Sequence, residues 1–182
     1  MPISKMQSES VNLADNFAFT GTVTGAGGGK VLQVVSTTKT DSFAASVSNA
    51  LVDITGMSLA ITPSSTSSKI FIIVQCAVSG GDAGIGLTLL RGSTPIAVGD
   101  TSSSKTSHTM IGFYGSSSPE TYSAGSNHIS FLDSPNTTSA TTYKLQGRAL
   151  STSIVVNRSY YDLDNGNASR NSSTVTLMEI AG

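Results

Sequence analysis

The stretch Lys69-Ile-Phe-Ile-Ile-Val-Gln-Cys-Ala-Val-Ser79 decides the fold. Ile70 to Val74 are apolar without a break, and four of the five are β-branched, which suits a pleated strand better than a helix. A sandwich strand with one wet face alternates apolar and polar residues, whereas this one is apolar on both faces. It is either a central strand covered on its second face by an edge loop, or a strand whose second face meets another subunit. Just upstream, Met57-Ser-Leu-Ala-Ile61 alternates with period 2 and runs into the turn cluster Pro63-Ser-Ser-Thr-Ser-Ser68. Met57–Ser79 therefore reads as a hairpin.

Outward from that point the same grammar repeats. Val31–Thr38 is an apolar run, and Phe43–Thr55 mixes small polar residues with Leu51, Val52 and Ile54. Strands are expected at Ile85–Arg91, at Ile96–Val98 after the turn Gly92–Pro95, at Thr109–Tyr114 and at His128–Leu132. Further strands are expected at Thr141–Leu150, Ser153–Asn157 and Ser173–Ala181, with polar loops at Gly115–Asn127 and Arg158–Asn171. No segment carries helical periodicity. The expected fold is all-β: an antiparallel β-sandwich, or jelly roll, of nine or ten strands.

Composition narrows the function. The net charge is −1 and only 12% of residues are charged, so nucleic acid and anionic membranes are poor partners. Close to a third of the chain is Ser or Thr, and 18 residues are Gly, which favours short strands and turns. No stretch approaches the roughly 20 apolar residues of a membrane span, and the first residues lack the apolar centre of a signal peptide. The expected setting is a cytosol until release. The single cysteine, Cys76, excludes an internal disulfide and sits mid-strand, where it reads as core packing.

Residues 1–29 read differently. They form an extended polar arm with Leu13, Phe17, Phe19 and Val23 as isolated apolar points, closed by the hinge Gly27-Gly28-Gly29. Ordering each residue costs about 1–2 kcal/mol, which so little apolar surface cannot offset. Such an arm needs other chains to hold it, so it reads as an anchor, with residues 30–182 as the head. Apolar doubling supports assembly as well. It occurs at Ile70–Val74, at Leu89-Leu90 and in the last strand, where Val175 and Leu177 oppose Met178 and Ile180. Exposing three such strands would leave a sticky patch, so a homo-oligomer is expected. The residues assigned to its interface are Ile70, Ile72, Val74, Leu90, Met178 and Ile180.

Several stretches carry a resemblance. SKMQSESVNLADNFAFTGTVTGAG (4–27) resembles the N-terminal segment of small virion appendage proteins of marine tailed bacteriophages. GKVLQVVSTTKTDSF (29–43), DITGMSLAITPSSTSSKIFIIV (53–74), HISFLDSPNTTSATTYKLQ (128–146) and NRS with STVTLMEIAG (157–159, 173–182) resemble their C-terminal heads. Those heads are similar to trimeric jelly rolls of the tumour necrosis factor and complement-collagen kind. The resemblance implies a homotrimeric structural component of a virion, a short tail fibre. Its arms would join other virion proteins and its heads would point outward for host attachment, after assembly in the host bacterial cytoplasm. It brings no catalytic residues and does not separate tail from capsid.

The chemistry in the chain is sparse. His108 and His128 lack a legible carboxylate or amide to orient them for nucleophilic catalysis, so no enzyme and no cofactor are expected. Asp162 and Asp164, in Asp162-Leu-Asp-Asn-Gly-Asn167, are the only metal candidates. Their spacing fails the calcium-loop pattern, and the loop reads as a solvated turn. Tyr160 and Tyr161 beside those carboxylates, and Tyr114 and Tyr122 around another loop, are candidates for contact with host surface polysaccharide; otherwise they pack at subunit seams. The glycosylation acceptor patterns, including Asn157-Arg-Ser, read as chance in a chain so rich in Ser and Thr. Three functions stay open: a tail-fibre-like appendage, a capsid decoration (head fibre) protein stabilising the shell, and a surface-polysaccharide lectin or depolymerase.

Overall fold

The computed structural model describes residues 29–47, 49–80, 84–112, 124–149 and 153–182. The anchoring arm, with Leu13, Phe17, Phe19 and Val23, lies outside the described residues, as do Tyr114 and Tyr122. Among the described residues there is no helix. Eleven strands run β1 (Val31–Lys39), β2 (Phe43–Ser46), β3 (Val52–Ile61), β4 (Lys69–Gly80), β5 (Ile85–Arg91) and β6 (Thr94–Ile96). They continue as β7 (Met110–Ile111), β8 (Gly125–Asp133), β9 (Thr141–Ala149), β10 (Ser153–Val156) and β11 (Ser173–Ile180). The expected strand at Ile85–Arg91 has the observed bounds, and most others shift by a residue or two.

The strands form two antiparallel sheets. One runs β1-β11-β4-β10-β2, with β8 on the other edge of β4; the other runs β3-β9-β5-β6, with β7 also beside β5. They pack as a β-sandwich around one core that includes Ile54, Met57, Ile72, Val74, Leu87, Leu89, Tyr143, Leu145, Ile154, Val175 and Leu177. Along the regular strands these residues sit at alternate positions, as period 2 requires; on β3, Ile54 and Met57 are three apart because the strand is irregular between Asp53 and Ser58. Cys76 belongs to it, and burial pushes its thiol up to about 11, which leaves it unreactive at neutral pH.

Met57–Ser79 is not a hairpin. β3 pairs with β9 in one sheet while β4 pairs with β11 and β8 in the other, so the Pro63–Ser68 turn crosses the sandwich. Each strand turns an apolar face inward, and these faces meet across the core instead of the strand edges meeting each other. Glu179 pins the crossover. Its Oε1 accepts from the Ser64 amide (2.7 Å) and hydroxyl (2.6 Å), and its Oε2 accepts from Gln33 Nε2 (2.6 Å). β3 also begins earlier than expected and contains an irregularity between Asp53 and Ser58. Gly56 there adopts φ +86°, a left-handed conformation that L side chains rarely take.

Two further polar clusters sit at the ends of the core. Asp133 on β8 accepts both contacts from Arg91 Nη1 on β5 (2.9 Å each) and the hydroxyl of fully buried Tyr143 on β9 (2.6 Å), so it ties the two sheets together. Burial, with the Asp133 carboxylate beside it, raises the Tyr143 hydroxyl pKa. At the other end Asn157 is fully buried at φ +62°. Its Nδ2 donates to the carbonyls of Lys39 (2.8 Å) and Asp41 (3.1 Å), and its Oδ1 accepts from Ser173 Oγ (2.5 Å). Ser173 Oγ in turn accepts from the Ala77 amide at 3.0 Å. Asn157 is thus a structural bracket, and its side chain is closed to glycan attachment in the folded chain.

Burial alone would raise the Glu179 pKa, but its hydrogen bonds from Ser64 and Gln33 outweigh that and hold it at about 2 against an ordinary 4.5. A carboxyl depressed on folding stabilises the fold above its unfolded pKa and loses that contribution as pH falls towards the folded value. Urea denaturation at a series of pH values should therefore show stability falling between about pH 4.5 and 2. Glu179→Gln should lower stability at pH 7 by roughly 1–3 kcal/mol and flatten that acid slope; an unchanged slope would contradict the pinning.

Candidate functional site on the outer face of the six-stranded sheet

β4 is hydrogen-bonded along both edges, so its neighbours fix which residues share each face. On the inner face the register aligns Val35, Leu177, Ile72 and Phe131 across four strands, and Thr37, Val175, Val74 and Ile129 in the next row. On the outer face it aligns Val34, Met178, Phe71 and Leu132. Ile180 and Val31 pair beside that row on one side, and Ile73 lies in the row on the other, with Ser36, Thr176 and Ser130. The outer face therefore carries an apolar band four strands wide.

This band is open in the single chain. Val34 is 54% exposed, Val31 52% and Leu132 47%, with Leu32 also exposed and Phe71, Ile73, Met178 and Ile180 half-buried. Lys69, opposite Ile180, is the one ionised side chain in these rows. Ser36 Oγ and Thr176 Oγ1 bond each other at 2.9 Å, which satisfies part of the polar row. Further along the sheet the outer face is covered: Ser79 Oγ donates to the Arg158 carbonyl (2.8 Å), so the loop after β10 lies over that end, and Val155 is buried. A charge-poor apolar band of this width, with a polar margin, has the anatomy of an interface core.

The structure corrects four interface assignments. Ile70, Ile72 and Val74 are buried in the sandwich core of the chain itself, because their side of β4 faces the other sheet. Leu90 is buried too, although it points away from that core. The segment between β6 and β7 runs along the edge of β5, where Thr109 Oγ1 accepts from the Leu89 amide (2.9 Å) and donates to the Ile96 carbonyl (3.1 Å), and lays the His108 ring over the outer face at Gly86. For β5 the cover is an edge loop. Met178 and Ile180 do lie on the open face, opposite inward Val175 and Leu177, as the alternation implied. The residues missed were Phe71, Ile73, Val34 and Leu132. A signal for them was present: Cys76 read as core shares its strand parity with Val74, Ile72 and Ile70, so Phe71 and Ile73 had to face outward.

The other candidates separate in space. Tyr160 and Tyr161 stack edge-to-face at 5.3 Å between centroids, with Tyr161 52% exposed. Asp162 next to them is held by Arg170 Nη2 (2.5 Å) and more loosely by Arg158 Nε (3.7 Å). Asp162 and Asp164 line one shallow recess with Arg170, so a cation would meet a guanidinium there. No group of three His, Cys, Asp or Glu suited to a metal occurs among the described residues. His108 lies on the five-stranded sheet, while His128 is exposed on β8 opposite Gln75, so the two histidines do not form one site. No helix among the described residues is long and apolar enough to cross a membrane.

No protein-family model matches the chain, and no curated protein matches it significantly.

The two faces of β4 should respond differently to substitution. In denaturant titrations of dilute protein, Ile70→Ala should lose about 2–5 kcal/mol, whereas Leu132→Ser should stay within about 1 kcal/mol of the parent. Equal losses at the two positions would reject the assignment of faces.

Proposed function

We propose that this chain is the subunit of a homotrimeric virion appendage, a short tail-fibre-like structural protein of a tailed bacteriophage. Residues 1–29 anchor it to another virion protein, and residues 30–182 form a jelly-roll head presented to the host surface. The observation that carries the reading is the open apolar band of Val34, Met178, Phe71 and Leu132, which a solitary chain would leave wet. Covering it with a second and third copy would bury this charge-poor apolar band.

The pairing scheme supports the jelly-roll reading. β1 pairs with β11, β3 with β9, β4 with β8 and β5 with β6. That is the nesting of one long hairpin wrapped around a sandwich, outermost strands together and innermost strands together. The three-fold count comes from the resemblance of the head to trimeric jelly rolls, and so does the virion setting. Residues 1–29, fully extended, would span at most about 100 Å. The head offers an exposed Tyr161 beside the Asp162 loop as a surface for glycans, and there Asp162 is held by Arg170, so that loop does not present the pair of free carboxylates that glycoside hydrolysis uses.

Light scattering of the purified full chain should give three times the 18.6 kDa chain mass, and Phe71→Glu with Leu132→Lys should give the single-chain mass with an unchanged β-rich circular dichroism spectrum. A monomeric parent would refute assembly, and a dimer would refute the three-fold count. Antibody labelling of intact particles should place the head at the tail in tens of copies or fewer. Hundreds of copies over the shell would mean capsid decoration instead, and an unlabelled particle would refute the virion role.

A further inference from the structure

On the opposite side of the sandwich, Gly86 of β5 and Arg148 of β9 face each other in register. The segment between β6 and β7 folds back over them and lays the His108 ring directly above Gly86, where any β-carbon would collide with the ring. His108 Nδ1 is 3.1 Å from Thr88 Oγ1, and Nε2 is 3.3 Å from Arg148 Nη1. A guanidinium only donates, so Nε2 is the acceptor and the ring is neutral, with its proton on Nδ1 towards Thr88. Burial first, and the Arg148 charge second, keep the His108 pKa below its ordinary value, in agreement with that tautomer.

Arg148 is only 9% exposed. Its Nε donates to the Asn49 carbonyl at 3.2 Å, and Nη1 meets the neutral imidazole. No carboxylate pairs with it among the described residues. A guanidinium removed from water normally has an anionic partner, because desolvation is otherwise uncompensated. Arg148 instead lines a recess of about 500 Å³, shared with Asn49, Ser104, Lys105, Thr106 and His108. No Asp or Glu is among its described lining residues; Asp100 borders the adjoining recess that shares Lys105 and His108. The volume lies in the range of small-molecule sites.

We propose that this recess binds an oxoanion, a carboxylate, sulfate or phosphate group, with the Arg148 guanidinium as its anchor. The planar fork of Arg148 matches the paired oxygens of such a group, and His108 holds that fork in place through Nη1. Lys105 adds a second positive charge at the rim, while Ser104, Thr106 and Asn49 offer neutral polar groups around it. The anion has two sources with the same chemistry: the acid group of a sugar, or a sulfate or phosphate ester. The site lies on the five-stranded sheet, away from the apolar band, and does not depend on the trimer or on the virion role.

The test is an NMR titration of the full chain at constant ionic strength, with sodium glucuronate, sodium sulfate, sodium phosphate and, as the neutral control, glucose. The expected result is a saturable shift of the Arg148 Nε–H and His108 ring resonances with at least one anion and none with glucose. Arg148→Gln should weaken binding at least about tenfold. Lys105→Ala, on the exposed rim, should weaken it about threefold and keeps the test decisive if Arg148→Gln does not fold. Tighter binding of glucuronate supports the site with a sugar acid as source, and tighter sulfate or phosphate supports it with an ester as source. Non-saturating shifts, an equal response to glucose, or full affinity in Lys105→Ala would overturn the proposal.

Discussion

β4 is bonded along both edges, by β11 and β10 on one side and β8 on the other, and it is apolar on both faces. Those two properties together constrain the molecule. Hydrogen bonding along both edges places β4 inside its sheet, so neither face can be relieved by moving the strand to a margin. One face, Ile70, Ile72, Val74 and Cys76, must then fill the core against the second sheet. The other face, Phe71 and Ile73, must point away from it, and register spreads that apolar character sideways to Val34, Met178 and Leu132. The core and the open band are two consequences of one strand.

Buried polar groups settle how the strands are joined. Glu179 holds the crossover turn at Ser64, Asp133 joins β8 to β5 and β9, and Asn157 gathers the ends of β1, β4 and β11. Each is satisfied by several specific donors or acceptors, so leaving its position would strand a desolvated group. Apolar burial alone tolerates sliding by two residues, whereas these brackets do not. They give the sandwich a single register.

The two outer faces of the sandwich differ in chemistry. The six-stranded sheet presents the apolar band, with Lys69 at its margin; the five-stranded sheet presents Arg148, Lys105 and His108 around a recess. A head that assembles through one face keeps the other free for solvent and ligand. Under the proposed reading, assembly and anion binding are assigned to separate sheets.

The sequence by itself determined the all-β class, the position of most strands, the turn cluster at Pro63–Ser68, the core role of Cys76 and the opposition of Val175 and Leu177 to Met178 and Ile180. These follow from period 2 and turn chemistry, which act over a few residues. Tertiary structure alone decided that β3 and β4 lie in different sheets, because an alternating pattern is the same whether two strands meet edge to edge or face to face. Which side of β4 is inside was written only in the parity of Cys76 with Val74, Ile72 and Ile70, because the apolar run itself is the same on both faces. The recess was illegible for a related reason. Gly86, His108 and Arg148 are scattered along the chain, and only the pairing of β5 with β9 and the fold-back over them place a ring, a guanidinium and an empty volume together.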